Sequence, residues 1–130
     1  MVLDCPNKLT IDAADNIYIA NSGYDTIVKL SSTGELLQSI GCTSVGYQDG
    51  NITTAKFDFP YAVAVDKTGV VYVADSANHA IRKVEGQEVS TFAGHPEEPP
   101  YLFYSPESVA VDSQNNVLIG DWSKLSLIHI

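Results

Sequence analysis

Cationic residues are scarce in this chain. Seven Lys and Arg stand against sixteen Asp and Glu in 130 residues, a formal charge of −9 at pH 7. A surface of that sign repels a phosphate backbone, and no local run of Lys or Arg offsets it, so nucleic acid is disfavoured as a partner. Long hydrophobic runs are missing too: none approaches the ~18 apolar residues that would span a bilayer. No membrane partner is expected. The opening Met1-Val2-Leu3-Asp4-Cys5-Pro6 has neither the basic start nor the apolar core of a secretory leader. Two cysteines, Cys5 and Cys42, do not by number alone report a redox compartment. The chain also lacks a Gly-x-Ser-x-Gly elbow, a phosphate-cradling glycine loop and any stretch of helical periodicity. A hydrophobic fraction of 45% nevertheless excludes a disordered chain.

What is present is one pattern written three times. Pro6-Asn7-Lys8-Leu9-Thr10-Ile11-Asp12 returns as Pro60-Tyr61-Ala62-Val63-Ala64-Val65-Asp66 and as Pro106-Glu107-Ser108-Val109-Ala110-Val111-Asp112. After each Asp follow a short turn and a second apolar run: Ile17-Tyr18-Ile19-Ala20-Asn21, Val71-Tyr72-Val73-Ala74-Asp75 and Val117-Leu118-Ile119-Gly120-Asp121. Read from one proline to the next, the period is 54 and then 46 residues. Strand-rich repeats of this length suggest the blades of a β-propeller.

The middle copy predicts four strands, at 61–65, 70–74, 80–84 and 88–94, and the first copy predicts 8–12, 16–20, 26–30 and 35–40. The first two strands of the middle copy are apolar on both alternating faces, which requires cover on both sides. Packing between two neighbouring blades supplies that cover. Ala62 and Ala64 are small, as suits inner strands crowded round a channel. In Ala80-Ile81-Arg82-Lys83-Val84 apolar and charged residues mix, as expected farther from the axis. The connectors 42–59 and 95–105 each carry an aromatic three residues before the next proline, Phe57 and Phe103, read as plugs over the blade junctions. Cys5 and Cys42 would lie three strand spacings apart, about 14 Å, too far for a disulfide. Free thiols are expected.

Pro60 through Val84, with Val-Ala-Val-Asp, Val-Tyr-Val-Ala-Asp-Ser, Asn-His and Ile-Arg-Lys, resembles the NHL repeat. Gly46-Tyr47-Gln48-Asp49-Gly50, Ala55-Lys56-Phe57 and Val89-Ser90-Thr91-Phe92-Ala93-Gly94 resemble its longer variant. The likeness runs over residues 6–122, and the first copy departs from it at Asn21 and Tyr24-Asp25. The resemblance implies an all-β chain: a partial β-propeller of four-stranded antiparallel blades, in a family whose rings commonly have six. Residues 1–124 form an incomplete propeller, with blades at 6–41 and 60–94 and a partial blade at 106–124. An array of this size leaves its terminal apolar faces open, so the remaining blades of the same polypeptide are expected partners. Leu125-Ser126-Leu127-Ile128-His129-Ile130 is the direct translation of CTGTCTCTTATACACATC, which resembles a transposase mosaic end, and 125–130 is read as an adapter-derived tail.

The repeated aspartates are the first candidates for chemistry. Asp12, Asp66 and Asp112 close strand ends, where a carboxylate accepts turn N–H groups, and Asp75 and Asp121 sit at the next turn. Calcium needs 6–8 converging oxygens, whereas these recur once per blade. Catalytic zinc needs three protein ligands, which His79 and His95 cannot supply, and Cys42 has no basic neighbour to activate its thiol. No catalytic residue, metal or cofactor is expected. The starts of first strands and the turns between second and third strands emerge on one face, which would carry Tyr24, Asp25, Tyr61, Asn78, His79, Glu107 and Trp122. Exposed aromatics beside polar groups suit recognition of a protein or small-molecule ligand. The sequence therefore reads as a non-catalytic binding scaffold; the alternative is part of a metal-dependent propeller lyase or hydrolase whose ligands lie mostly on other blades.

Overall fold

The computed structural model describes residues 3–97, 99–122 and 125–129, the last four as backbone. Four strands, β1 (Pro6–Ile11), β2 (Ile17–Asn21), β3 (Thr26–Leu30) and β4 (Leu36–Ile40), form the first antiparallel blade in chain order. The connector contributes a two-residue strand, β5 (Gly50–Asn51), before β6 (Pro60–Val65), β7 (Val71–Asp75), β8 (Ala80–Glu85) and β9 (Glu88–Gly94) build the second blade. The third sheet holds β10 (Pro106–Val111), β11 (Asn116–Asp121) and β12 (Leu125–His129). Among the described residues no helix is long and apolar enough to cross a membrane.

Each hairpin between first and second strands closes on an aspartate. Asp12 Oδ1 accepts the Ala14 and Asn16 N–H groups at 2.9 Å. Asp66 Oδ1 accepts those of Thr68 and Val70 at 2.8 and 3.0 Å, and Asp112 Oδ1 those of Gln114 and Asn116 at 2.8 Å. Burial pushes the Asp12 and Asp66 carboxyls up, but the turn donors outweigh it and hold both below the ordinary carboxylate value.

Alternation along the strands sends successive side chains to opposite blade faces. Val63, Val71, Val73 and Val84 of blade two meet Tyr18, Ala20, Ile27 and Ile40 of blade one, with Phe57 and Ile52 of the connector filling the junction. The intervening residues Ala62, Tyr72, Ala74 and Ile81 face the other way and meet Phe103, Val117 and Ile119. Phe57 and Phe103 are fully buried, the plugs that their spacing before proline suggested. On blade one, Ile19, Val28 and Leu30 form a small cluster of their own, while Leu9 and Ile11 are 60% and 56% exposed. These residues occupy the positions that in blade two are covered by blade one.

Three details go beyond the sequence reading. Blade two is five-stranded, because Gly50 and Asn51 pair with Val89 and Glu88 on its outer edge. The turns after β2 and β7 are single 3₁₀ turns, Ser22–Tyr24 and Ser76–Asn78, each closed by a left-handed residue, Asp25 or His79. Arg82, in the mixed strand farther from the axis, is fully buried. Both thiols are free. The backbone of β12 pairs antiparallel with β11, placing Leu127 opposite Leu118. Any extended segment can make such a ladder on an open edge, so the pairing carries no information on the tail's origin.

Candidate functional site

The loop face is held from below by polar groups that the strands bury. Asp75 ends β7 with no exposed surface, and its Oδ1 accepts the Asp58 N–H at 2.8 Å. Its Oδ2 accepts the Asn78 amide and one Arg82 guanidinium nitrogen, each at 2.8 Å. Arg82 also donates to the Lys56 and Gln48 carbonyls at 2.8 and 2.9 Å and to Asp49 at 2.8 Å. Its guanidinium carbon lies 4.7 Å from the Tyr47 ring centre and 5.1 Å from that of Phe57. One cation thus ties the 48–56 connector to the blade it leads into. Burial pushes the Asp75 carboxyl up to about 6, against the opposing pull of the Arg82 charge, the Asn78 amide and the Asp58 N–H.

Hydroxyls fasten each blade to the next. Ser22 donates to the Pro60 carbonyl and Ser76 to that of Pro106, both in buried positions. At the left-handed positions the side chains also cross the junction. Asp25 Oδ1 accepts the Phe59 N–H at 2.8 Å, and His79 Nδ1 lies 2.5 Å from the Tyr104 carbonyl.

Above these fasteners stand the residues singled out from the sequence. Tyr24 is 40% exposed and Trp122 74%; Tyr61, Glu107, Asp25 and His79 are half-buried. Tyr61 lies 6.1 Å from the Phe59 ring, and the Lys8 ammonium sits 5.7 Å over the Tyr61 ring centre. His79 stacks on Tyr101 at 4.1 Å. Asn78 does not belong to the exposed set. It is buried, and its amide donates to Gly46 O and Asp75 instead of facing solvent. The residue expected beside a ligand is part of the frame.

Residues 57–84 match the family model described as the NHL repeat. Chicken NHL repeat-containing protein 2 is 39% identical over 92 residues, covering 68% of this chain and 12% of that protein. The chain belongs to the NHL-repeat propellers. It spans about an eighth of the length of that relative. A solved Bacteroides thetaiotaomicron protein of unknown function shares the fold at a TM-score of 0.78 and 26% identity, covering 92% of this chain and 33% of that one. A streptogramin B lyase superposes at a TM-score of 0.63 and 16% identity over 94% of this chain and 39% of its own, a likeness of fold alone.

Within the NHL repeat, the Asp75–Asn78–Arg82 set is what the sequence reading missed. A signal did exist: the first copy has Asn21, Tyr24 and Val28 at the corresponding positions, so the acid and the base vanish together. Paired loss in one repeat is the pattern expected of two charges that neutralise each other in a dry junction. Four exposed aromatics or apolar groups of the face were also passed over: Phe59, Tyr101, Leu102 and Tyr104, 41–62% exposed. They lie in the connectors, where they read only as approach to the plug. Among the described residues no group of three His, Cys, Asp or Glu side chains is placed to hold a metal ion.

Proposed function

We propose that this NHL segment is part of a non-catalytic scaffold that recognises a protein or small-molecule partner through its loop face. The observation that carries this reading is the contrast between fixed backbone and exposed aromatic surface. Phe59, Tyr104 and Trp122 are 43%, 62% and 74% exposed, yet the segments bearing them are bonded to Asp25, Asp121 and the Ser105 carbonyl. Aromatic side chains held in place lose little freedom on binding, which favours their use as anchors. The test is affinity capture with the polypeptide that carries these blades, compared with a Tyr61→Ala/His79→Ala/Trp122→Ala variant whose folding is checked by circular dichroism. A partner retained by the parent and lost from the folded variant is the expected result; identical capture by both refutes the reading.

The lyase or hydrolase alternative draws on the fold likeness to the streptogramin B lyase. It requires ligands from other blades, and stoichiometric zinc or calcium in the purified polypeptide would favour it.

A further inference from the structure

At the junction of the first two blades the loop face carries two carboxylates that join no ion pair among the described residues. Asp25 closes the 3₁₀ turn after β2, and Asp58 lies one residue before Phe59, whose N–H Asp25 accepts. The backbone of Asp58 is fully engaged, its N–H on Asp75 and its carbonyl accepting from Ala77. Its side chain, by contrast, meets no hydrogen-bond donor among the described residues, and neither acid joins an ion pair there. Partial burial, and then the neighbouring charge of Asp25, push the Asp58 carboxyl up, the mark of two like charges in reach of each other. Beside them stand exposed Phe59 and half-buried Tyr61, with exposed Tyr24 on the same turn as Asp25. One aromatic face already attracts a cation, since the exposed Lys8 side chain lies over Tyr61.

We infer that this junction docks a basic polypeptide segment, whose Arg or Lys side chains lie against Phe59 and Tyr61 while Asp25 and Asp58 take their charge. The inference rests on the loop-face reading above and names the partner's chemistry. Charge complementarity supports it: the acids are uncompensated, the rings present π faces, and the chain carries −9 overall. Two carboxylates are too few for calcium, which takes 6–8 oxygens. An anionic ligand would meet repulsion at this place. An Arg or Lys side chain brings the missing charge together with an apolar stem that can cover the rings.

The test uses a fluorescent Arg/Lys-rich ten-residue peptide, its Glu-rich counterpart and the polypeptide carrying these blades, read by anisotropy at two salt concentrations. Asp25→Asn/Asp58→Asn is the decisive variant. Asparagine tolerates the left-handed backbone at 25, keeps an acceptor for Phe59, and at 58 disturbs no hydrogen bond of the side chain. Asp15→Asn/Glu35→Gln removes two charges from exposed turns at the opposite ends of the strands and serves as the control. Salt-sensitive binding of the basic peptide alone is expected, about tenfold weaker in the decisive variant and unchanged in the control. Absence of basic-peptide binding overturns the inference, as does equal weakening in both variants, which would make the attraction one of net charge. If the aromatic triple variant loses its partner while Asp25→Asn/Asp58→Asn keeps it, the scaffold reading stands and the basic partner falls.

Discussion

Replacing Arg82 with Met removes the one cation that joins β8, Asp75 and the 48–56 connector, and the expected loss can be counted from its bonds. The Lys56 and Gln48 carbonyls lose their guanidinium donors but keep each other's backbone N–H, so each lost bond costs about 0.5–1.5 kcal/mol. Asp75 loses its partner as well, but a carboxyl already near a pKa of about 6 can escape by taking a proton. At pH 7 that escape caps its share at about 1.4 kcal/mol, one pH unit's worth. Methionine refills part of the volume between Tyr47 and Phe57, so little further cavity cost is added. The sum is about 1–4 kcal/mol, a sizeable share of an ordinary domain's stability. Urea unfolding followed by far-ultraviolet circular dichroism measures it. Asp75→Asn and the double variant complete a cycle: the two sites should couple by at least about 1 kcal/mol. A cost for Arg82→Met below about 1 kcal/mol, or additive singles, would refute the view that this cation ties connector to blade.

Three further outcomes are expected. Because the folded pKa of Asp75 lies above the unfolded value of 3.8, the folded state binds the extra proton between pH 3.8 and about 6. This group therefore adds stability as pH falls through that window, by up to about 3 kcal/mol; the Asp75→Asn variant should lose that slope, and an unchanged slope would contradict the assignment. Ser76→Ala removes the buried donor to the Pro106 carbonyl and should cost about 1–3 kcal/mol in the same assay, whereas Ser90→Ala, on an exposed position of β9, should stay within about 0.5 kcal/mol. Gly94→Ala places a Cβ 2.2 Å from the His79 carbonyl at a φ of +85°, while Gly34→Ala, at a φ of +89°, meets open space. The second should cost about 1 kcal/mol from backbone strain alone and the first clearly more; equal melting temperatures would refute the close approach.

The blade order was legible because it rests on local rules. Proline opens the first strand, a turn-closing aspartate ends it, and period-2 apolarity marks strands with cover on both sides. The junction chemistry was not legible in the same way. Arg82 sits between Ile81 and Lys83 in a strand of mixed character, a pattern that also fits a solvent-facing cation, and its partners at 48, 49 and 56 lie far away in sequence. Strand β5 escaped because two residues, one of them glycine, carry no periodicity, and only the β9 edge makes them a strand. Asn78 and His79 are adjacent and polar, yet a left-handed turn points one inward and leaves the other half-exposed. Neighbouring residues in a tight turn need not share an environment.

Strand β7 divides its side chains between two cores, Val71 and Val73 to one junction, Tyr72 and Ala74 to the other. Inserting or deleting one residue inside it would exchange the two sets, sending valines where a tyrosine belongs and the reverse, and both junctions would fail together. The strand is thus intolerant of length change in either direction. The connectors carry no such parity, and their lengths do differ, 18 residues at 42–59 against 11 at 95–105. New binding chemistry can enter this architecture between blades far more readily than within one, and the exposed Phe59, Tyr101 and Tyr104 lie in those permissive stretches.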